Sequence, residues 1–319
     1  MKIVFAGTPD FAVAPLKRIL DGGYEVVGVI TQADKPQGRK GILTPPPVKT
    51  LALEYGVPVL QPVKLRDELE SVKALGGDIM ITCAYGQILT QAALDLFPLG
   101  VWNIHAGLLP QYRGASPIQS CILAGETQTG VSVMRTELGI DSGAVLCVER
   151  TGIGETETYG ELSARLSLLG AGLIVKALET LKTGDFTLIE QGDENVRIVR
   201  KIGKENARIR FDKPAKEIVD LVRAMNPAPV AFAELDGLKI NVYRAEKVEN
   251  ETLGETEKQA FASAENGEIL NDIPKRGLLV KCQDGVVKLT EVQAAGGKRM
   301  SGSDLLNGRK AKKGQVFVC

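Results

Sequence analysis

Histidine is almost absent from this chain: His105 is the only one in 319 residues, so any imidazole chemistry belongs to that side chain. The five cysteines, Cys83, Cys121, Cys147, Cys282 and Cys319, form no CxxC pair, and no HxxxH or Cys/His cluster offers a metal its ligands. An odd set of thiols, three of them in apolar strand or helix patterns, predicts reduced and mostly buried side chains rather than a disulfide framework. Net charge is missing as well: 39 Lys and Arg balance 39 Asp and Glu, which excludes an overall attraction to a polyanion and leaves nucleic-acid contact to local basic clusters. No apolar run approaches about 18 residues. The opening Met1-Lys2-Ile3-Val4-Phe5-Ala6 is too short for a secretory signal, so a soluble, cytoplasmic protein without a membrane partner is expected. No repeated apolar surface pattern demands a second copy, which predicts a monomer.

What is present suggests two domains. Short β-branched runs at 2–6, 25–31, 57–60, 78–83, 101–105, 130–135 and 144–149 alternate with helical patterns at 10–20, 90–96, 117–123 and 156–181. That alternation predicts an α/β domain over 1–189 with a Rossmann-like, mostly parallel sheet covered by helices on both faces. Asp10 and Thr90 are expected to cap helices, and Gly160, Gly170 and Gly172 weaken the expected continuity of the longest one. Residues 190–206 are polar and aperiodic, and read as a linker. From 207 to 319 a helix at 214–225 precedes strand-like runs broken by Asp236-Gly237 and Asp284-Gly285, which predicts a small β-barrel domain. A five-stranded barrel of the oligonucleotide-binding (OB) type fits, as would another small barrel.

The densest group of reactive residues is Val101-Trp102-Asn103-Ile104-His105-Ala106-Gly107-Leu108-Leu109-Pro110-Gln111-Tyr112-Arg113-Gly114. Strand side chains alternate, so Asn103 and His105 share one face, at the carboxyl edge where open α/β sheets place their ligands. Asp141 sits in Glu137-Leu138-Gly139-Ile140-Asp141-Ser142-Gly143, after another expected strand, either as a turn residue or as a carboxylate reaching the same edge. Amide, imidazole and carboxylate together suit acyl transfer to an amine: the first two donate hydrogen bonds to a developing oxyanion, and the third holds the imidazole or moves a proton. By contrast, Gly7-Thr8-Pro9-Asp10 lacks G-x-G-x-x-G, and Pro9 removes a backbone donor, so it reads as a tight strand-to-helix connection.

Two basic regions stand out. The run from Lys35 to Pro47 holds Lys35, Arg39 and Lys40 among glycines and prolines, and is either a solvated surface loop or a mobile clamp for phosphates. Near the end, Lys298, Arg299, Arg309, Lys310, Lys312 and Lys313 oppose only Asp304.

Taken together, Asn103-Ile104-His105, Leu108-Leu109-Pro110, Tyr112-Arg113-Gly114, Pro117, Gly130-Val131 and Asp141-Ser142-Gly143 resemble the signature of the formyltransferases that use 10-formyltetrahydrofolate. The resemblance spans nearly the whole chain, through Phe5-Ala6-Gly7-Thr8-Pro9-Asp10-Phe11-Ala12, Asp34-Lys35-Pro36, Pro47-Val48-Lys49, Ala84-Tyr85-Gly86 and Asn226-Pro227, and is most specific to the members acting on initiator methionyl-tRNA. It implies a catalytic trio of Asn103, His105 and Asp141, with no metal. It implies folate against Gly107, Leu108, Leu109 and Pro110 and beside Tyr85 and Gly86. For tRNA it implies Arg39 with Lys35 and Lys40 in the basic loop, here slightly shorter than in many members, and Lys298, Lys310 and Lys312 in the second domain. Phe11 would line the methionyl pocket or pack in the core. One departure is Gly107, where the family commonly carries serine; loss of that hydroxyl and added backbone freedom would alter folate affinity. Rival readings are formyl transfer to an amino-sugar nucleotide or to glycinamide ribonucleotide, formyl-folate hydrolysis, and a non-catalytic folate or RNA binder.

Overall fold

The structure, a computed structural model, describes residues 1–38 and 41–318; Arg39, Lys40 and Cys319 lie outside the described residues. The chain forms two compact units. The first comprises Met1–Pro117, Gln128–Gly152 and Leu162–Arg200, and the second Ile118–Thr127, Ile153–Glu161 and Lys201–Cys319.

In chain order the elements up to residue 200 are β1 (Ile3–Gly7), α1 (Val13–Asp21), β2 (Val26–Ile30), β3 (Lys35–Gln37), β4 (Ile42–Thr44), α2 (Pro47–Glu54), β5 (Val59–Leu60), α3 (Leu69–Lys73), β6 (Ile79–Cys83) and α4 (Gln91–Leu94). They continue with β7 (Val101–His105), β8 (Arg113–Gly114), α5 (Pro117–Leu123), β9 (Gln128–Arg135), β10 (Val145–Gly152), α6 (Tyr159–Thr183) and β11 (Ile198–Val199). Seven of the strands form one sheet in the order β10-β9-β7-β6-β1-β2-β5. Pairing is parallel from β7 through β6, β1 and β2 to β5, whereas β9 runs antiparallel to both of its neighbours. β1 and β6 are buried along their full length, as expected for uninterrupted apolar strands at the centre of a parallel sheet.

Local chemistry accounts for the connections. A Cβ on Gly7 would lie 2.8 Å from Ala12 Cβ and 2.9 Å from the Cys83 carbonyl, so only glycine permits this tight exit from β1. Asp10 does not cap α1, because residues Asp10–Ala12 form a 3-10 turn that precedes it. Thr90 occupies the N-cap of α4 but makes no side-chain cap bond. α6 runs without a break through all three of its glycines. Gly170 has a packing reason: a Cβ there would come within 3.1 Å of Ile104 on β7. The start of α6 is secured by a capping box in which Thr158 N–H donates to Glu161 Oε2 and Glu161 N–H to Thr158 Oγ1.

Three features depart from expectation. The run after Gln32 contains a two-stranded hairpin, β3 paired with β4, rather than wholly irregular chain, followed by the unforeseen helix α2. Residues 190–206 are not simply a connection: β11 pairs in parallel with β8, Ile198 opposite Arg113 and Val199 opposite Gly114. A two-residue strand has no period to detect, and its partner lies far away in sequence.

The second unit contains α7 (Ala215–Ala224), β12 (Ala231–Leu235), β13 (Leu238–Val248), α8 (Glu255–Ser263), β14 (Leu278–Lys281), β15 (Val286–Ala294), β16 (Met300–Ser301), α9 (Gly302–Asn307) and β17 (Phe317–Val318). Asp236 and Gly237, both at positive φ, make the tight turn between β12 and β13. The sheet follows β14-β15-β13-β12-β17 with β16 beside β15, six strands rather than five. It is curled: backbone bonds from 267–270 reach both Lys281 and Leu279 at one edge and Gln315 at the other. Its core includes Phe211 and Phe317, whose ring centroids are 5.3 Å apart. Neither α8 nor α9 was legible beforehand. Among the described residues, no helix is long and apolar enough to cross a membrane.

Candidate active site

β7 delivers the two residues its alternation implied: His105 is buried at 4% exposure, and Asn103 is half-buried. The loop after β9 brings Asp141 to them. Asp141 Oδ1 lies 3.4 Å from Asn103 Nδ2, and Oδ2 lies 3.5 Å from His105 Nδ1. The same Oδ2 accepts from the Gly114 N–H at 2.8 Å. Asp141 has φ +45°, a left-handed conformation that Asp tolerates better than most side chains.

His105 has an acceptor on each side. Its Nε2 is 3.1 Å from the Tyr112 carbonyl, which can only accept, so that nitrogen carries hydrogen and Nδ1 faces the carboxylate. Burial pushes the imidazole below its ordinary pKa of 6.5, opposed by the Asp141 charge and by the Tyr112 carbonyl. Burial thus works against the protonated ring, while the Asp141 carboxylate and the Tyr112 carbonyl both stabilise it.

Thr82 orients the amide of Asn103. Its hydroxyl donates to Asn103 Oδ1 at 2.9 Å, which directs Nδ2 toward Asp141. Thr82 stands in register with Asn103 on the adjacent strand β6, a pairing invisible without the sheet order.

The loop after His105 is tied to β9 through Ser132. Ser132 Oγ donates to the Gly107 carbonyl at 2.7 Å and accepts from the Leu109 N–H at 3.4 Å. Gly107 is buried, while Leu108, Leu109 and Pro110 are half-exposed beside the trio. A Cβ on Gly107 would sit 3.1 Å from His105 Nε2, so any side chain there presses on the imidazole.

The segment at the end of β6 presents backbone rather than ring. Tyr85 is 4% exposed and packs with Val4, Ile30, Met80 and Leu89. Its carbonyl accepts from Thr8 Oγ1 at 3.1 Å and Gln32 Nε2 at 3.1 Å. Gly86, at φ +83°, admits the Gln32 amide at a point where a Cβ would be 2.5 Å away. Phe11 is half-buried, and its carbonyl accepts from Ser167.

Of the basic residues, Lys35 is exposed and donates to Gln32 Oε1 at 2.7 Å. The expected contacts Arg39 and Lys40 lie outside the described residues. The base of the hairpin is clamped by Lys49, which binds Asp34 at 2.9 Å and Gln61 Oε1 at 2.7 Å. Lys298, Lys310 and Lys312 are exposed, and none has a carboxylate within ion-pair distance among the described residues. No group of three or more potential metal-ligating residues occurs among them either.

Sequence reasoning missed Thr82, the Tyr112 carbonyl, the Gly114 N–H and Gln191. Gln191 Nε2 donates to the carbonyls of Asp141 at 2.9 Å and Gly143 at 2.6 Å, and its Oε1 accepts from Arg113 Nε at 2.9 Å.

Both parts of the chain match those of a formyltransferase. The formyl transferase family model matches residues 1–178, and the model for the formyl transferase C-terminal domain matches 201–310. The chain is 44% identical over 314 residues to the methionyl-tRNA formyltransferase of Chromohalobacter salexigens, covering 97% of this chain and 94% of that protein. It is 42% identical over 316 residues to that of Bacillus licheniformis, covering 98% and 96%. Among solved structures, the N-formyltransferase from Helicobacter canadensis in complex with folinic acid and dTDP-3-aminofucose superposes with a TM-score of 0.64 at 19% identity, over 90% of this chain and 98% of that one. This likeness shows the shared fold. The chain belongs to the methionyl-tRNA formyltransferase family.

Proposed function

We propose that this protein transfers the formyl group of 10-formyltetrahydrofolate to the amino group of methionine on initiator tRNA, as a cytoplasmic monomer. The observation that carries the reading is that Asp141 lies within 3.5 Å of both Asn103 and His105, which share one face of β7. When bound, the folate supplies the formyl carbon and a nitrogen leaving group. Asn103 offers the N–H that remains beside its Asp141 contact to the formyl oxygen as negative charge develops there. Asp141 orients His105 and assists as the imidazole–carboxylate pair takes up the proton leaving the methionyl amine; the protonated His105 joins Asn103 in stabilising the oxyanion, and the proton then passes to the departing folate nitrogen. The Gly107-Leu108-Leu109-Pro110 loop, held by Ser132, and the backbone at Tyr85 and Gly86, held by Thr8 and Gln32, flank the folate in this reading. Phe11 borders the methionyl side chain.

In the same reading, 207–319 is an OB-like tRNA-binding domain joined to the catalytic domain 1–189 through 190–206. Lys35, Arg39 and Lys40 meet the acceptor end, and Lys298, Lys310 and Lys312 meet phosphates. Lys310→Ala with Lys312→Ala should lower the slope of log affinity against log salt by roughly 1 to 2, since each phosphate contact to a single strand contributes about 0.7 and to a duplex about 0.9. Filter binding from low to moderate salt measures this, and an unchanged slope would clear both lysines of RNA contact.

Transfer of labelled formyl to charged initiator methionyl-tRNA, with uncharged tRNA and charged elongator methionyl-tRNA in parallel, tests the function. Label on the charged initiator alone supports it. Folate turnover indifferent to acceptor would mean hydrolysis, and label on an amino-sugar nucleotide instead would redirect the assignment.

A further inference from the structure

We propose that Gln191 is a positioning residue for formyl transfer, acting through Asp141; this rests on the formyl-transfer reading above. Gln191 lies beyond α6, in chain without secondary structure, yet both of its N–H groups and its carbonyl oxygen are spent on the catalytic loops. Its two N–H groups hold the carbonyls of Asp141 and Gly143, at 2.9 and 2.6 Å, on either side of Ser142. Its Oε1 holds Arg113 Nε at 2.9 Å. Arg113 is followed by Gly114, whose N–H is the direct donor to the Asp141 carboxylate at 2.8 Å. One amide thus fixes Asp141 from its backbone and also ties down the strand that grips its carboxylate.

The chemistry of the residue is specific. The two carbonyls need a donor and Arg113 needs an acceptor, so neither a carboxylate nor an ammonium satisfies all three partners. The bracket matters because Asp141 sits at φ +45°, a conformation the backbone does not adopt by default. Two further contacts hold the segment that carries Gln191 in place. β11 pairs with β8 at Arg113 and Gly114, and Arg197 donates to the Tyr112 hydroxyl at 3.0 Å. Tyr112 is the residue whose carbonyl faces His105 Nε2. Both ends of the His105–Asp141 contact are therefore braced by 191–199.

Gln191→Met preserves side-chain length and removes the three bonds without adding charge. A displacement of Asp141 of about 1 Å costs up to roughly a hundredfold in rate, so kcat should fall about tenfold to a hundredfold, with KM for 10-formyltetrahydrofolate and for methionyl-tRNA within twofold of the parent. Because the Asp141 charge raises the His105 pKa, a loosened Asp141 should also move the acid limb of the kcat profile to lower pH. The decisive comparison is a double-mutant cycle. In an Asp141→Asn background, Gln191→Met should cost less than twofold, because the group it positions is already lost. Gln191→Asn, which keeps the amide one methylene short, should lie between the parent and Gln191→Met, and carries the same cycle if the methionine variant does not fold. An unchanged kcat in a folded variant, or full additivity with Asp141→Asn, would overturn the proposal. A parent enzyme that transfers no formyl group would instead overturn the underlying assignment.

Discussion

Asp141→Asn is expected to lower kcat for formyl transfer by roughly a hundredfold to ten-thousandfold, the range over which a positioned acid or base acts. Folding should survive the change. Asparagine tolerates the left-handed conformation at φ +45° that Asp141 adopts, and its amide oxygen can still accept the Gly114 N–H. What disappears is the negative charge beside His105 Nδ1. Burial lowers the His105 pKa and Asp141 raises it, so removing the charge lowers it further. The acid limb of the residual kcat/KM profile should therefore lie at lower pH than in the parent, whose imidazole burial already holds below its ordinary pKa. The stability contribution has a matching sign. A histidine that titrates lower in the folded than in the unfolded state costs nothing above about 6.5 and destabilises progressively as pH falls below it. Asp141→Asn extends that loss to lower pH. Normal single-turnover formylation by the variant would exclude Asp141 from the mechanism.

Asn103→Ala should cost roughly a hundredfold to a thousandfold in kcat, typical of losing one donor to a developing oxyanion, with KM for both substrates little changed. The amide interacts more strongly with the charged transition state than with the neutral formyl oxygen, so its loss belongs mainly to kcat. Thr82→Val provides a graded companion. It leaves the amide in place and removes the hydroxyl that accounts for its orientation, so a loss of about tenfold or less is expected. Rapid-quench single-turnover kinetics separate these effects from product release. An alanine variant with parental single-turnover rate would show that the formyl oxygen is stabilised elsewhere.

The parallel sheet and the placement of Asn103 and His105 were legible because both follow from strand periodicity, a local property of the chain. The short or irregular pieces were not. β8 and β11 have two residues each, and α8, α9 and the β3–β4 hairpin have weak patterning. At Gly107, attention to the missing side chain gave no hint of the Ser132 hydroxyl on β9 that binds its carbonyl. Likewise, the resemblance placed folate beside Tyr85 and Gly86 without saying which atoms of Tyr85 reach the edge. Its burial among β1, β2 and β6 neighbours leaves its carbonyl as the part at the edge.

By itself, the sequence determined which groups are available for chemistry: one imidazole, an amide two residues before it on the same strand face, and a carboxylate in a glycine-flanked loop. It also determined the alternation that builds the α/β sheet. Only the tertiary structure decided that Asp141 reaches His105, that Thr82 turns the Asn103 amide, and that Gln191 brackets the loop, because these contacts join residues 21 to 50 positions apart. Such contacts depend on strand order and loop path, which no local periodicity encodes.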